Sequence, residues 1–411
     1  MTCFRGTCRN GDFASLLFLN HYEYMRNKTF ARHTILPLVT GLLNWWTCFL
    51  ESSVGTGGRL EDWNPVYPDE ENECQPVRNP MIGLAFLRRL TTFQIWLAEE
   101  LGIPQPTAAL SIQRNLIALP TNCTVPLKDG TCKHNDPNAS WVSYGNATVK
   151  TSSDFSLYPV WPTELVSIGS ESELRRTARR TIKTFVKPAD FVTQRPVLTF
   201  PAAVRAGHLS RDPDESAGYA PEVVMTALKA WLQNTEHNNG VLQDRDKGAR
   251  LCHALYLTAL QLSYDMCTGR VEDCGVVRAV NEMLVAAPND GTYIELFPFF
   301  PANESASFTT LRAKGGWLVT ASKAQATAAD LANGSQGAVT GVEIFATTNG
   351  TAQLVSPWLT SMQIPTVSCH PAPIAPSVHK VRLDGGRPGL AWEMIAGQAC
   401  MIYERNIPEI G

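Results

Sequence analysis

Residues 308–321 read Phe308-Thr309-Thr310-Leu311-Arg312-Ala313-Lys314-Gly315-Gly316-Trp317-Leu318-Val319-Thr320-Ala321. Apolar and polar residues alternate on both sides of the glycine pair. A period of two marks a half-buried strand, and glycines between two such runs read as the turn that joins them. Upstream of about Pro301 the pattern differs. There, apolar residues recur at three- and four-residue intervals, most clearly from Pro80 to Leu101. Ile82, Ala85, Phe86, Phe93, Trp96 and Leu97 repeat at helical spacing in that run, and Gly102 and Pro104 supply the stop. The change in period places a boundary near residue 302, with residues 1–301 predicted helical and residues 302–411 predicted β-rich.

The same periodicity predicts helices over Phe13–Tyr24, Thr34–Leu50, Glu171–Phe185, Ala220–Gln233, Gly248–Cys267 and Val276–Ala287. Pro37 falls in the first turn of the second of these, where a missing N–H is harmless. Long apolar helices joined by long loops point to an (α/α) toroid, a six-hairpin barrel in which helix pairs stack around a central site. No fixed repeat of roughly 33–47 residues favours a solenoid instead. In the second part, Gly341–Ala346 and Thr351–Val355 flank Asn349-Gly350, a two-residue hairpin signal, and a small β-sandwich-like domain is expected.

Composition narrows the partners. Of 411 residues, 44% are hydrophobic and 18% charged, with a net charge of −3. This is the balance of a well-buried globular chain with no basic run, which argues against nucleic acid and anionic membrane surfaces. No stretch reaches the roughly 18 apolar residues of a membrane span. The eleven cysteines make no zinc-type pair set, although Cys123 and Cys132 flank a polar loop and are spaced to close a short disulfide. Seven Asn-x-Ser/Thr sequons, at Asn27, Asn122, Asn138, Asn146, Asn303, Asn333 and Asn349, favour a secreted or luminal protein. Met1–Asp12 is polar and unlike a signal peptide, so a truncated gene product is the expectation. Ten Trp and ten Tyr offer flat faces of the kind on which sugar rings stack, with most of them expected in core and rim packing.

Several segments, in the same chain order, resemble the inverting α-L-fucosidases and α-L-galactosidases of glycoside hydrolase family 95. Phe18-Leu19-Asn20-His21-Tyr22-Glu23-Tyr24 through Trp45-Trp46-Thr47-Cys48-Phe49-Leu50 looks like a helix pair of that family. Pro68-Asp69-Glu70-Glu71-Asn72 stands ahead of the helix from Asn79 to Leu101, where the family has a Ser-Pro-Glu-Asn-like tetrapeptide. Leu157-Tyr158-Pro159-Val160-Trp161-Pro162, then Glu173-Leu174-Arg175-Arg176-Thr177-Ala178, is similar to a further family segment, with Asp154 and Ser156 where the family has histidines. Glu272-Asp273-Cys274-Gly275 precedes Ala279-Val280-Asn281-Glu282-Met283-Leu284 as Asp-Gly-Asn-Phe-Gly precedes a similar helix. The junction Ile294-Glu295-Leu296-Phe297-Pro298 with Leu311–Val319 is the most specific match, and Pro357-Trp358 follows. The family's large N-terminal β-domain and its water-orienting asparagines have no counterpart here, so the barrel is expected to be incomplete at its N-terminus.

The resemblance implies Glu71 as general acid, with Glu70 as its rival, and Asp273 or Glu272 as general base. Asn72, Trp161, Trp63 and Asp154 would line the sugar site, without metal or cofactor. Inversion needs two carboxyl groups about 6.5–9.5 Å apart, one protonated and one ionised. The crowd of carboxylates at residues 69–73 would raise the pKa of the least solvated among them, as an acid requires. The same residues also suit a solvated loop before a helix N-terminus. Asp273 equally suits a helix N-cap ahead of Val276, and Trp161, between Val160 and Pro162, would equally stiffen a loop. If barrel helices are missing, an apolar face is expected on the outside of residues 13–50.

Overall fold

The computed structural model describes residues 10–53, 58–68, 74–124, 132–133, 136, 138–145, 147–148, 150, 152, 154–186, 196–207, 219–235, 270–332, 337–357, 365–371, 376–383 and 387–403. Helix α1 spans Asn10–Met25. A second helical run follows, made of α2 (Lys28–Phe30), a π-turn (Ala31–Ile35) and α3 (Leu36–Phe49). It starts at Lys28 rather than Thr34 because Asn27 caps it, its Oδ1 accepting from Phe30 N–H at 3.0 Å. Pro37 lacks the N–H that His33 C=O would receive, and the widened turn just before it absorbs the break.

Helix α4, Met81–Leu101, is buried on almost every side and ends at Gly102, which adopts φ 60°, ψ 39°. Helix α5 (Thr107–Asn115) lies against it. Among the described residues before the strands, α6 (Ser172–Phe185), α7 (Pro196–Gly207), α8 (Pro221–Thr235) and α9 (Arg270–Leu284) follow. Short antiparallel ribbons connect these layers: β1 (Glu51–Ser53) with β2 (Arg59–Glu61), β3 (Trp63–Pro68) with β4 (Cys74–Arg78), β5 (Thr121–Asn122) with β6 (Ser140–Trp141), and β7 (Val285–Ala286) with β8 (Glu295–Leu296).

From residue 306 the chain is a two-sheet β-structure. Strands β9 (Ala306–Ala313), β10 (Trp317–Lys323), β11 (Val339–Ala346), β13 (Thr366–His370) and β16 (Ala399–Tyr403) form one antiparallel sheet in the order β13-β16-β11-β10-β9. Strands β12 (Gly350–Val355), β14 (His379–Arg382) and β15 (Pro388–Met394) form the other, in the order β12-β15-β14. Helix α10 (Ala328–Ala332) sits between β10 and β11 in sequence. Inner-face residues of both sheets, Val319, Ile344 and Ile402 from one and Leu354, Leu390 and Trp392 from the other, share one core.

That core continues into α6–α9 through Ile182, Phe200, Leu228 and Met283, so the second half of the helical part packs directly on the sandwich. A separate core, including Leu19, Ile35, Leu43, Trp46, Leu90, Phe93 and Ile112, holds α1–α5 together. Tyr158 packs against both.

Several sequence expectations change. Asn349-Gly350 does not close a hairpin. β11 and β12 belong to different sheets, and the dipeptide carries the chain from one to the other. Helix α7 contains Pro196 and Pro201 and was not expected, nor was α5. Helix α9 begins at Arg270, six residues before the expected start. The predicted helix over Gly248–Cys267 lies outside the described residues. No closed barrel is formed among the described residues, which show packed helices followed by a β-sandwich. The Cys123–Cys132 disulfide is present, and a second, Cys369–Cys400, joins the neighbouring strands β13 and β16. On the outside of α1 and α3, Phe13, Leu17 and Trp45 are 40%, 73% and 44% exposed, as expected of residues 13–50.

The turn at Asp290-Gly291 meets the Gly315-Gly316 turn back to back. Gly291 has φ +64°, and a Cβ there would fall 2.5 Å from Gly315 N and 2.6 Å from its Cα. Gly291→Ala is therefore strained both in its own backbone and in its contact. It is expected to lower stability by about 2–3 kcal/mol, read as a lower urea midpoint. An unchanged midpoint would mean that the two turns do not touch in solution.

Candidate functional site

The described residues most unusual for a protein interior form one ionic cluster where α1, α4, α7, α9 and the β9–β10 turn converge. Its centre is Glu164, in the loop after Trp161-Pro162. Glu164 is 1% exposed and has φ +56°, a left-handed conformation that a glutamate holds only when its surroundings demand it. Those surroundings are cations. Arg205 of α7 approaches at 3.2 Å and Arg278 of α9 at 3.1 Å, and Lys314 of the β9–β10 turn also bonds the carboxylate.

Two more carboxylates extend the network. Glu282, one turn beyond Arg278 on α9, accepts from Arg205 Nε at 3.1 Å and lies 2.7 Å from Arg278 Nε. Glu23 of α1 pairs with Lys314 at 2.8 Å and with Arg89 of the central helix α4. Asn289 closes the group, donating to the Glu164 carbonyl at 2.6 Å and accepting from Lys314 at 2.8 Å. The Tyr24 hydroxyl accepts from Arg278, and the Trp161 ring lies 5.9 Å from the Arg205 guanidinium and 5.7 Å from that of Arg278.

Burial alone would raise the Glu164 pKa, but Arg205, Lys314 and Arg278 outweigh it and hold the carboxyl well below the usual carboxylate range. Burial pushes the Lys314 ammonium down, with Glu164 and Glu23 pulling the other way. Glu164 is thus a fixed anion and unsuited to donate a proton. A cavity of about 20 Å³ opens beside the cluster, between Tyr24, Ser167, Arg278, Glu282, Arg312 and Lys314. That is room for one water-sized species.

Of the residues expected from sequence, Trp161 is the one whose described side chain touches this cluster. Glu71 and Asn72 are outside the described residues. Glu272 and Asp273 sit in the first turn of α9 rather than on a loop ahead of it, and only their backbone is described. Trp63 belongs to β3, paired with Arg78, and Asp154 to a 3₁₀ turn over Asp154–Leu157, again by backbone alone. Trp161 is the one candidate whose ring is placed, packed on the core with two arginines against it. Glu164 was missed altogether, although it follows the Trp-Pro pair by two residues. Glu23, Glu282 and Lys314 all lie inside segments that carry the family resemblance.

No family model matches the chain, and no curated protein matches it. Among solved structures, it is similar to a protein described as a kojibiose phosphorylase from the human microbiome, at 10% identity and a TM-score of 0.35, over 84% of this chain and 47% of that one. It is also similar to an α-L-rhamnosidase of Streptomyces avermitilis, at 14% identity and a TM-score of 0.33, over 95% and 32% of the two chains. A third is a family 127 β-L-arabinofuranosidase of Geobacillus stearothermophilus, at 11% identity and a TM-score of 0.20, over 78% and 41%. The chain spans less than half the length of each of them.

Replacing Glu164 by Gln would leave Arg205, Arg278 and Lys314 facing a neutral amide. Removing one partner from a buried ion cluster costs about 3–5 kcal/mol, so a large fall in stability at neutral pH is expected. Because the folded pKa of Glu164 is depressed, its contribution is full above the unfolded value of about 4.3 and is lost as pH falls below it. The wild type should therefore lose stability on acidification more steeply than Glu164→Gln. Parallel curves of stability against pH for the two proteins would refute the ion pairing.

Proposed function

We propose that this chain is a glycoside-hydrolase-like protein of the secretory route, acting on α-L-fucosyl or α-L-galactosyl linkages with inversion. One observation carries the reading. The segments that resemble family 95 are scattered from residue 18 to residue 319, yet they meet in one place: Glu23 and Tyr24, Arg89, Trp161, Glu282 and Lys314 all join the same ionic cluster. A resemblance arising by chance in short segments has no reason to converge in space.

In this reading Glu71 is the acid and Asp273 or Glu272 the base, with Asn72, Trp63, Trp161 and Asp154 around the sugar. The cluster holds two of the elements on which they stand. Arg278 and Glu282 anchor the helix whose first turn carries Glu272 and Asp273, and Glu164 anchors the loop of Trp161. Secretion is supported by two disulfides and by the exposed sequon asparagines Asn27, Asn138, Asn303 and Asn349. A second reading, a non-catalytic carbohydrate-binding or structural remnant, is supported by the cluster itself, whose carboxylates Glu23, Glu164 and Glu282 are all taken up in ion pairs and so serve position rather than chemistry.

The test is to incubate the protein, purified from a secretory host, with α-L-fucosyl- and α-L-galactosyl-terminated oligosaccharides. Release of free sugar, lost by orders of magnitude in Glu71→Gln at an unchanged melting temperature, is the outcome expected of a hydrolase. Glycan binding without release, equal in wild type and variant, would select the second reading. Full activity in Glu71→Gln would move the acid to Glu70, and neither binding nor release would reject both readings.

A further inference from the structure

The cavity beside the ionic cluster has more cationic than anionic groups around it. Arg205, Arg278, Arg312 and Lys314 line it against the single carboxylate of Glu282, while Glu23 and Glu164 lie in the cluster behind. Each carboxylate is already shared by two or three cations of the cluster. Arg312, on β9, is not one of them. It lines the cavity, makes no ion pair among the described residues, and its buried Nη1 has no hydrogen-bond partner. Other buried guanidinium nitrogens also lack an acceptor, among them the Nε of Arg26, Arg88 and Arg89, but those side chains are held through their other nitrogens; for Arg312 the lost hydration is not returned by the protein. The Tyr24 and Ser167 side chains border the same space and supply hydroxyl groups.

We propose that this cavity binds a small monovalent inorganic anion of chloride size, held by Arg312 with Arg278 and Lys314 on its walls. Charge, shape and composition agree on that class. The surplus is positive, so a cation is excluded. The volume of about 20 Å³ matches one species of water size. An anion there would accept the unused Arg312 N–H and reduce the repulsion among three neighbouring cations. The site lies where the β9–β10 turn, α1 and α9 meet, so its occupation would stiffen the contact between the helices and the sandwich. The inference stands apart from the hydrolase reading, since it concerns binding and stability and needs no substrate.

The experiment is thermal melting in sodium chloride, sodium bromide and sodium gluconate, each titrated at constant ionic strength. Chloride and bromide are expected to raise the melting temperature along a saturable curve that gluconate, too large for the cavity, does not produce. In Arg312→Gln the half-saturating chloride concentration should rise at least tenfold, and Arg312→Lys should fall between that variant and the wild type. Crystals grown in bromide should show an anomalous peak beside Arg312 Nη1, which decides the matter even if a variant fails to fold. Identical melting curves in chloride and gluconate, an unaltered response in Arg312→Gln, or bromide crystals without that peak would overturn the proposal.

Discussion

Burying the Glu164 carboxylate among Arg205, Arg278 and Lys314 is the constraint from which the rest of the arrangement follows. A charge removed from water is costly unless its partners sit within hydrogen-bonding distance, and here the three partners come from three distant pieces of chain. Helix α7, helix α9 and the β9–β10 turn therefore cannot slide past one another without stranding at least one ion. Apolar packing is weakly directional and would tolerate several registers of helix against sheet. A saturated ionic network tolerates far fewer. The left-handed backbone of Glu164 fits this account, since the strain persists only where the contacts made by the side chain exceed it.

The network also ties together two hydrophobic bodies that share Leu119 and Tyr158 at their border. Helix α1 buries Leu19 and Tyr22 in the first core and carries Glu23 and Tyr24 out to the cluster, while α4 carries Arg89 there from the same core. The Gly315 N–H donates to the Glu23 carbonyl at 2.8 Å, so the turn that bears Lys314 is held by backbone as well as by charge. That approach is possible only because Gly291 and Gly315 let two turns touch with no Cβ between them. The hydrophobic effect thus supplies cohesion within each body, and the polar junction selects their relative placement.

How much of this the amino-acid order discloses depends on the range of the interaction. Helix α4 is legible because its signal is local: apolar residues at helical spacing, then Gly102 in the left-handed conformation. Helix α7 is not, because Pro196 and Pro201 read as breakers, while in the fold Pro196 occupies the first position and the helix tolerates the second. Asn349-Gly350 misleads for a related reason. Turn chemistry reports that the chain reverses, not which strand its neighbour will pair with, and β12 finds β15 some forty residues later. Glu164 was invisible because its partners lie 41, 114 and 150 residues away, and nothing within a few positions of a lone glutamate announces them. Only the resemblance, which compares whole segments, touched Glu23, Glu282 and Lys314, and it did so without saying that they meet.

The electrostatics of the cluster bear on where acid and base chemistry could reside. Cations that hold Glu164 ionised would depress any carboxyl placed among them, which suits a base and defeats an acid. On the proposed reading the two roles separate accordingly. Glu272 and Asp273 share α9 with Arg278, and Asp273 precedes it by about 7.5 Å of helix axis, within a Debye length of about 8–10 Å. Glu71 stands in a run of four acidic residues between 69 and 73, where like charges raise the pKa of the least hydrated member. A protein that kept its acid in an acidic loop and its base on a helix anchored by cations would push the two pKa values apart by placement alone, with the buried cluster fixing the helix.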